Sequence, residues 1–317
     1  MNIMILGAGA MGALVGGYLS RRNQVWLVDV DTERVRQIEQ KGVRVREQDG
    51  SVSLFHPHAV VDSAGLPEMD LVIVFVKAMY TLSALQDNRV RIGPRTYLMT
   101  LQNGAGHEAR LLRFADEDHV IIGSTQHNSS VIENGFVNHG GGGKTSIGLL
   151  SGANDRIAPI VETFTDCGFA CSASDTIKAQ IWSKLFLNTS ASALTAVLQV
   201  PMGFILDDPH ACALMETLVR EAVAVANAEG LCQFDPQQVT EEVKNVLANA
   251  RGGYTSIYAD VKAGACSEVD TISGSVVEAA GELGVAVPCH EMLVHLIHAM
   301  EHRMRDAYAN NTAKQEA

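Results

Sequence analysis

Met1-Asn-Ile-Met-Ile-Leu-Gly-Ala-Gly-Ala-Met-Gly12 opens the chain and commits its first half to one architecture. Ile3, Met4, Ile5 and Leu6 form an unbroken apolar run, as a parallel strand covered on both faces requires. Gly7, Gly9 and Gly12 then give G-x-G-x-x-G, in which Gly7 permits the tight turn, Gly9 lets a pyrophosphate approach the backbone, and Gly12 lets the following helix pack close on the strand. Together with the intervening Ala8, Ala10 and Met11 they form a phosphate cradle, because the helix N-terminus presents unpaired N–H groups to an anion. The context supports the motif. A helical stretch, Met11 to Arg21, succeeds it, and a second strand, Gln24 to Val28, ends at Asp29. That carboxylate stands roughly 20 residues past the first glycine, where it accepts hydrogen bonds from an adenosine ribose. The alternative is an ordinary βαβ start with a surface aspartate.

Working outward, Thr32 to Gln40 has helical composition and Lys41-Gly42 its C-cap. Val43–Glu47 and Ser51–His56 flank Gln48-Asp49-Gly50 as a short hairpin with a D-G turn. Leu71 to Val76 and Tyr97 to Leu101 are buried strands, ending at Lys77 and at Gln102-Asn103-Gly104-Ala105-Gly106. Lys77 and Asn103 therefore sit at the carboxyl edge of the sheet, where open α/β sheets bind their ligands. Val120 to Gly123 is a further strand. Thr125–Ile132, Phe136–His139 and Thr145–Leu149 then alternate as antiparallel strands, expected at the far edge of the same sheet. From Ser174 strand signals end, and helical periodicity runs through Ile177–Leu198, Pro209–Glu229, Pro236–Asn249, Gly274–Leu283 and His290–Tyr308. The fold expected is an α/β Rossmann-type N-terminal domain, a parallel sheet with antiparallel edge strands over residues 1–173, and an all-α C-terminal domain over 174–317, with a cleft between them.

Composition narrows the partners. A length of 317 residues with 47% hydrophobic content suffices for two full cores. A net charge of −12 disfavours nucleic acid and anionic membrane, and no apolar run approaches the roughly 18 residues of a span. With no charged leader before the first strand, a cytoplasmic protein is expected. The six cysteines lack a C-x-x-C pair and read as reduced small hydrophobes. His295, His298 and His302 share a helix face near Glu291 and Glu301, but no further ligand cluster converges on them, so no metal is expected. A homodimer stands beside a monomer as an open alternative.

The chemistry is expected in Ile181-Trp-Ser-Lys184-Leu-Phe-Leu-Asn188-Thr-Ser-Ala-Ser192, where Lys184, Asn188 and Ser192 recur at i, i+4 and i+8 on one face of an otherwise apolar helix. A lysine in such surroundings normally has a partner or a function. The stretch from Ser256 to Asp270 supplies a partner in Glu268, placed in the first turn of a helix after Gly264 or Ser267 breaks the chain. A dinucleotide site beside a Lys/Glu pair points to hydride transfer to a carbonyl. Negative charge grows on the carbonyl oxygen, and Lys184 both stabilises it and delivers the proton. Glu268 holds the lysine or grips a substrate hydroxyl, and Asn188, Ser192 and Ser256 offer neutral hydrogen bonds. The competing reading is a buried structural ion pair with a polar seam.

The Gly7–Gly12 loop, the strand-end Lys77, L-Q-N-G-A-G at 101–106, W-S-K-L-F-L-N at 182–188 and S-I-Y-A-D-V…S-E-V-D-T-I-S-G at 256–274 together resemble the ketopantoate reductase family over nearly the whole chain. The resemblance implies NADPH-dependent reduction of 2-dehydropantoate to (R)-pantoate on the route to coenzyme A. It further implies Lys184 as general acid, Glu268 as the carboxylate on the substrate hydroxyl, Asn103 and Lys77 beside nicotinamide and substrate, and Asn188 and Ser256 as substrate contacts. Two departures stand out. Ser192 and Gly253 occupy positions where the family usually has asparagine, and Val28-Asp-Val-Asp31 replaces a stretch that normally holds an arginine for the 2′-phosphate. Both point toward the related NAD-dependent D-2-hydroxyacid dehydrogenases, so NAD is the cofactor expected first and NADP its alternative. Arg34 and Arg36 on the next helix weigh against this, but either must order a long side chain to clamp a phosphate, whereas Asp29 is placed by its strand. The substrate is a small-molecule 2-oxo acid, ketopantoate first and another branched or aromatic 2-oxo acid second. A non-catalytic cofactor-binding regulator and an imine or opine reductase are the remaining readings.

Overall fold

The structure, a computed structural model, describes residues 1–230 and 232–315, with side chains to Met304. The chain divides into two compact units, Met1–Gln102 with Gly106–Lys178, and Asn103–Ala105 with Ala179–Ala317.

Unit 1 contains, in order, β1 (Asn2–Leu6), α1 (Ala10–Leu19), β2 (Gln24–Val28), α2 (Thr32–Lys41), β3 (Val43–Arg46), β4 (Val52–Phe55), β5 (His58–Val60), β6 (Leu71–Val74), α3 (Thr81–Asp87), β7 (Tyr97–Thr100), α4 (Glu108–Leu111), β8 (Val120–Thr125), β9 (Asn128–Glu133), β10 (Phe136–Gly141), β11 (Lys144–Leu149), α5 (Ala158–Asp166) and β12 (Ala170–Ala173). Its main sheet runs β12-β11-β8-β7-β6-β1-β2-β5 and is parallel except where β11 meets β8. This is the Rossmann-type sheet the N-terminal motif calls for. β1 lies between β2 and β6, with Leu6 opposite both Val28 and Val74, so strand order reverses beside β1. In such sheets the ligand crevice opens at this switch, outside the carboxyl ends of the strands. The strands beside it are apolar because water reaches neither face: Ile3, Met4, Ile5 and all of β6 are fully buried.

The antiparallel strands depart from the sequence expectation. β11 does join the main sheet, one strand in from its edge between β8 and β12, but β9 and β10 leave it and join the β3–β4 hairpin in a separate sheet ordered β4-β3-β10-β9. The alternation that marks β9 and β10 as strands carries no information about their partner. Side chains tie this second sheet to α1: Tyr18, near the helix end, donates from its hydroxyl to Glu47 Oε2 at 2.8 Å, and burial pushes the phenol up to about 12. Glu47 in turn faces His139 of β10 at 3.3 Å.

Unit 2 is helical: α6 (Ile177–Leu187), a π turn (Asn188–Ser192), α7 (Ala193–Leu198), α8 (Phe204–Asp207), α9 (Pro209–Ala228), α10 (Pro236–Asn249), α11 (Ser256–Lys262), α12 (Val269–Leu283) and α13 (Pro288–Gln315). Asp208 and Asp235 cap α9 and α10 with their carboxylates, each followed by proline at the first helical position. Trp182, Phe186, Leu194, Val219, Val223, Ile272, Val276 and Ile297 form its core. The last helix runs past Tyr308, and α11 and α8 are additions that the apolar periodicity does not announce. Among the described residues no helix is long and apolar enough to cross a membrane.

Candidate active site

In unit 1 the glycine loop joins β1 to α1. Gly7 has φ +98° and donates its N–H to Val28 O at 2.8 Å. A Cβ on Gly12 would lie 1.9 Å from Gly7 O, so the helix packs on its own turn. A Cβ on Gly9 would meet nothing within 4 Å, and Gly9 caps α1 without any side-chain hydrogen bond. The space before the helix N-terminus is thus open and its N–H groups are uncapped by side chains, which fits a dinucleotide pyrophosphate held by residues 7–12.

Asp29, buried at the end of β2, binds this loop directly: its Oδ2 accepts from Ala8 N at 2.7 Å and its Oδ1 from Asp31 N at 2.9 Å. Oδ2 also accepts from Arg34 at 2.8 Å, and the same guanidinium reaches Asp31 at 3.3 Å. The expectation that an arginine on the next helix must first order a long side chain is corrected here. Arg34 is already ordered on Asp29, because Asp31 caps α2 and brings the first helical turn beside the strand end. Lys77 comes after β6, half-buried, and heads a single 3-10 turn, Ala78–Tyr80. Gln102 is a positioning group that sequence reasoning passed over: its Nε2 donates to Val76 O at 2.6 Å and its Oε1 accepts from Thr100 at 2.9 Å, pinning the end of β6 to the end of β7. A polar residue closing an apolar strand was the available signal.

In unit 2, Lys184 on α6 donates from Nζ to Asn103 Oδ1 at 2.9 Å. These residues lie 81 positions apart, and the structure brings them together. Burial pulls the Lys184 ammonium down to about 8. The chain after Asn103 presses on α12: Gly104, at φ +107°, comes so close to Thr271 that a Cβ would stand 1.8 Å from its carbonyl oxygen. Glu268 occupies the cap position of α12, one residue before the first turn expected for it, and its backbone carbonyl accepts from Thr271 N and Ile272 N at 3.1 Å. Lys184, Asn103 and the first turn of α12 therefore form one cluster.

The expected straight stripe of Lys184, Asn188 and Ser192 is corrected. Asn188–Ser192 is a π turn, which inserts an extra residue into the helical repeat and rotates the residues beyond it. Lys184 and Asn188 stay half-buried, whereas Ser192 is 4% exposed. Ser192 is instead joined to the start of α11: Thr255, which caps that helix, donates from its hydroxyl to Ser192 O at 3.3 Å and shares a hydrogen bond with Thr195 at 3.0 Å. Ser256, next to that cap, is exposed. At Gly253 a Cβ would lie 2.6 Å from the tip of Met202, so Met202 fills the space an asparagine side chain would enter. Of the histidines on the last helix, His298 is engaged by Asp270 and Glu301, and no metal-binding group of three or more side chains occurs among the described residues.

Two family models match the chain, "Ketopantoate reductase PanE/ApbA" over residues 3–152 and "Ketopantoate reductase PanE/ApbA C terminal" over residues 176–301. The chain is 32% identical over 302 residues to a 2-dehydropantoate 2-reductase of Halobacterium salinarum, covering 94% of this chain and 98% of that protein. It is similar to the ternary structure of D-mandelate dehydrogenase with NADH and anilino(oxo)acetate, with TM-score 0.89, 29% identity, and 96% and 100% of the two chains covered. A PanE/ApbA family ketopantoate reductase from Ralstonia eutropha JMP134 gives TM-score 0.88 and 27% identity over 96% and 100% of the chains.

Proposed function

The chain belongs to the ketopantoate reductase family, and on that premise we propose that it reduces 2-dehydropantoate to (R)-pantoate, with Lys184 as the proton donor and NADH as the preferred cofactor. The coarser activity comes with the family: the protein is an NAD(P)-dependent reductase of a small-molecule 2-oxo acid. The observation that carries the residue assignment is the half-buried Lys184 Nζ held 2.9 Å from Asn103 Oδ1, with its ammonium drawn down to about 8. Such a group is charged at neutral pH yet parts readily with its proton.

A bound dihydronicotinamide supplies the hydride. Gly7, Ala8, Gly9, Ala10, Met11 and Gly12 hold its pyrophosphate, Asp29 its adenosine ribose, and Lys77 and Asn103 the end nearer the substrate. As negative charge grows on the substrate's carbonyl oxygen, Lys184 stabilises it and transfers a proton to that oxygen, leaving a neutral amine that solvent reprotonates. Asn103 keeps the ammonium in place. Glu268 takes the substrate hydroxyl, and Asn188 and Ser256 supply neutral hydrogen bonds; Ser192, buried beyond the π turn, is left out of this set.

The NADH preference rests on local charge. Asp29 and Asp31 hold Arg34, and Glu33 holds Arg36, so both guanidiniums nearest the end of β2 are already engaged by carboxylates that would repel a 2′-phosphate. A second substrate reading, an aromatic 2-oxo acid, is favoured by the likeness to D-mandelate dehydrogenase. Steady-state assays of 2-dehydropantoate, phenylglyoxylate and a branched 2-oxo acid with each cofactor separate these. The proposal expects the highest kcat/KM for 2-dehydropantoate with NADH; a higher value for phenylglyoxylate replaces it with the second reading.

A further inference from the structure

Glu301 of α13 is 6% exposed, and a buried carboxylate is costly unless hydrogen bonds or a charge partner compensate it. Its Oε1 accepts twice from Ser267, from the backbone N–H at 2.8 Å and from the hydroxyl at 2.7 Å. Its Oε2 lies 3.5 Å from His298 Nδ1, and His298 Nε2 lies 2.8 Å from Asp270 Oδ1 in the first turn of α12. Both sides of that turn are thereby tied to α13. Glu268 stands between them at the cap position, yet its side chain makes no capping hydrogen bond; the Ser267 hydroxyl accepts from Val269 N at 3.3 Å instead. Ser267, itself held by Glu301, thus binds the first N–H of α12 in place of a Glu268 cap.

We propose that Glu301 is a positioning residue for the reaction: through Ser267 and His298 it fixes the first turn of α12 and so the place from which Glu268 meets the substrate. The inference rests on the assignment of Glu268 to the substrate hydroxyl. A misplacement near 1 Å in such a contact is enough to cost about 10²-fold.

The test compares Glu301→Ala, Glu301→Gln, Glu268→Ala and the double variant Glu301→Ala/Glu268→Ala, reading KM for the 2-oxo acid, kcat, and NADH Kd by fluorescence. Glu301→Ala is expected to raise KM at least about tenfold with kcat and NADH Kd within about twofold. Glu301→Gln, which keeps an acceptor for Ser267, restores KM to within about threefold. In the Glu268→Ala background the alanine at 301 adds less than about twofold, because the two residues act in series. Should Glu301→Ala fail to fold, Ser267→Ala carries the same expectation at smaller amplitude. A folded Glu301→Ala enzyme with wild-type KM, no rescue by glutamine, or additive effects in the double variant overturns the inference alone. Wild-type kcat/KM in Glu268→Ala overturns the role of Glu268 and the inference with it.

Discussion

Lys184 meets two opposed demands: desolvation makes its charge expensive, and the reaction needs that charge at the carbonyl oxygen. Burial lowers the ammonium from its ordinary 10.5 to about 8, and the hydrogen bond to Asn103 fixes the position of its nitrogen. Since reduction uses the protonated form, kcat/KM should hold below about pH 8 and fall tenfold per unit above it, whereas an ordinary lysine would sustain the rate to about 10.4. A profile flat to pH 10 removes Lys184 as the acid. Lys184→Ala should lower kcat by roughly 10²–10⁴-fold with NADH Kd within about twofold, because the lost interaction is with charge present mainly in the transition state. Cofactor choice is also decided by single side chains. Arg34 is held by Asp29 and Asp31, so Asp29→Ala should release it to a 2′-phosphate and move the NADH/NADPH ratio of kcat/KM toward NADPH by about tenfold or more, with Arg34→Ala moving it the other way. A ratio unmoved in Asp29→Ala refutes the charge argument.

At the scale of elements, the β1–loop–α1 unit makes two glycines separable. Gly12→Ala sets a Cβ 1.9 Å from Gly7 O, against backbone that cannot turn aside, and should cost roughly 1–3 kcal/mol of stability. Gly9→Ala meets nothing within 4 Å, so its apo Tm should stay near wild type while NADH Kd weakens at least about tenfold, the methyl entering space the pyrophosphate needs. Equal losses of Tm in the two variants would contradict this. The same element explains what was legible in the sequence. A strand, a turn and a helix that contact one another within a dozen residues leave their physics in the local pattern, and Asp29 declares itself by ending the next strand. β9 and β10 are legible as strands but not as members of a second sheet, since the pairing of β10 with β3 is decided some 90 residues away. β12, Ala170–Ala173, holds no β-branched or aromatic residue to mark it as a strand. The π turn escapes because Asn188 and Ser192 look equally at home in a plain helix, and the Lys184–Asn103 bond escapes because each side chain is ordinary on its own.

The described residues form two hydrophobic cores, one built on Ile3, Ile5, Leu27, Leu71, Ile73 and Phe164, the other on Trp182, Phe186, Val219, Val223 and Ile272. Each belongs to one of the two units. The proposed cofactor contacts, Asn103 apart, all lie in the first, and the proposed proton donor lies in the second. Ligand that binds only folded protein stabilises it by about 2.7 kcal/mol at a hundred times Kd, which for a unit of this size raises Tm by about 5–10 °C. NADH should therefore raise the melting transition of the wild-type protein by that amount. NADPH at the same concentration should raise it less, since a tenfold weaker Kd removes about 1.4 kcal/mol of the linkage. Lys184→Ala separates binding from chemistry in this measurement: if the cofactor is held by the glycine loop and Asp29, the NADH shift survives in a variant whose kcat has collapsed. Loss of the shift together with kcat would mean that Lys184 holds the cofactor itself, and its assignment as proton donor would have to be withdrawn.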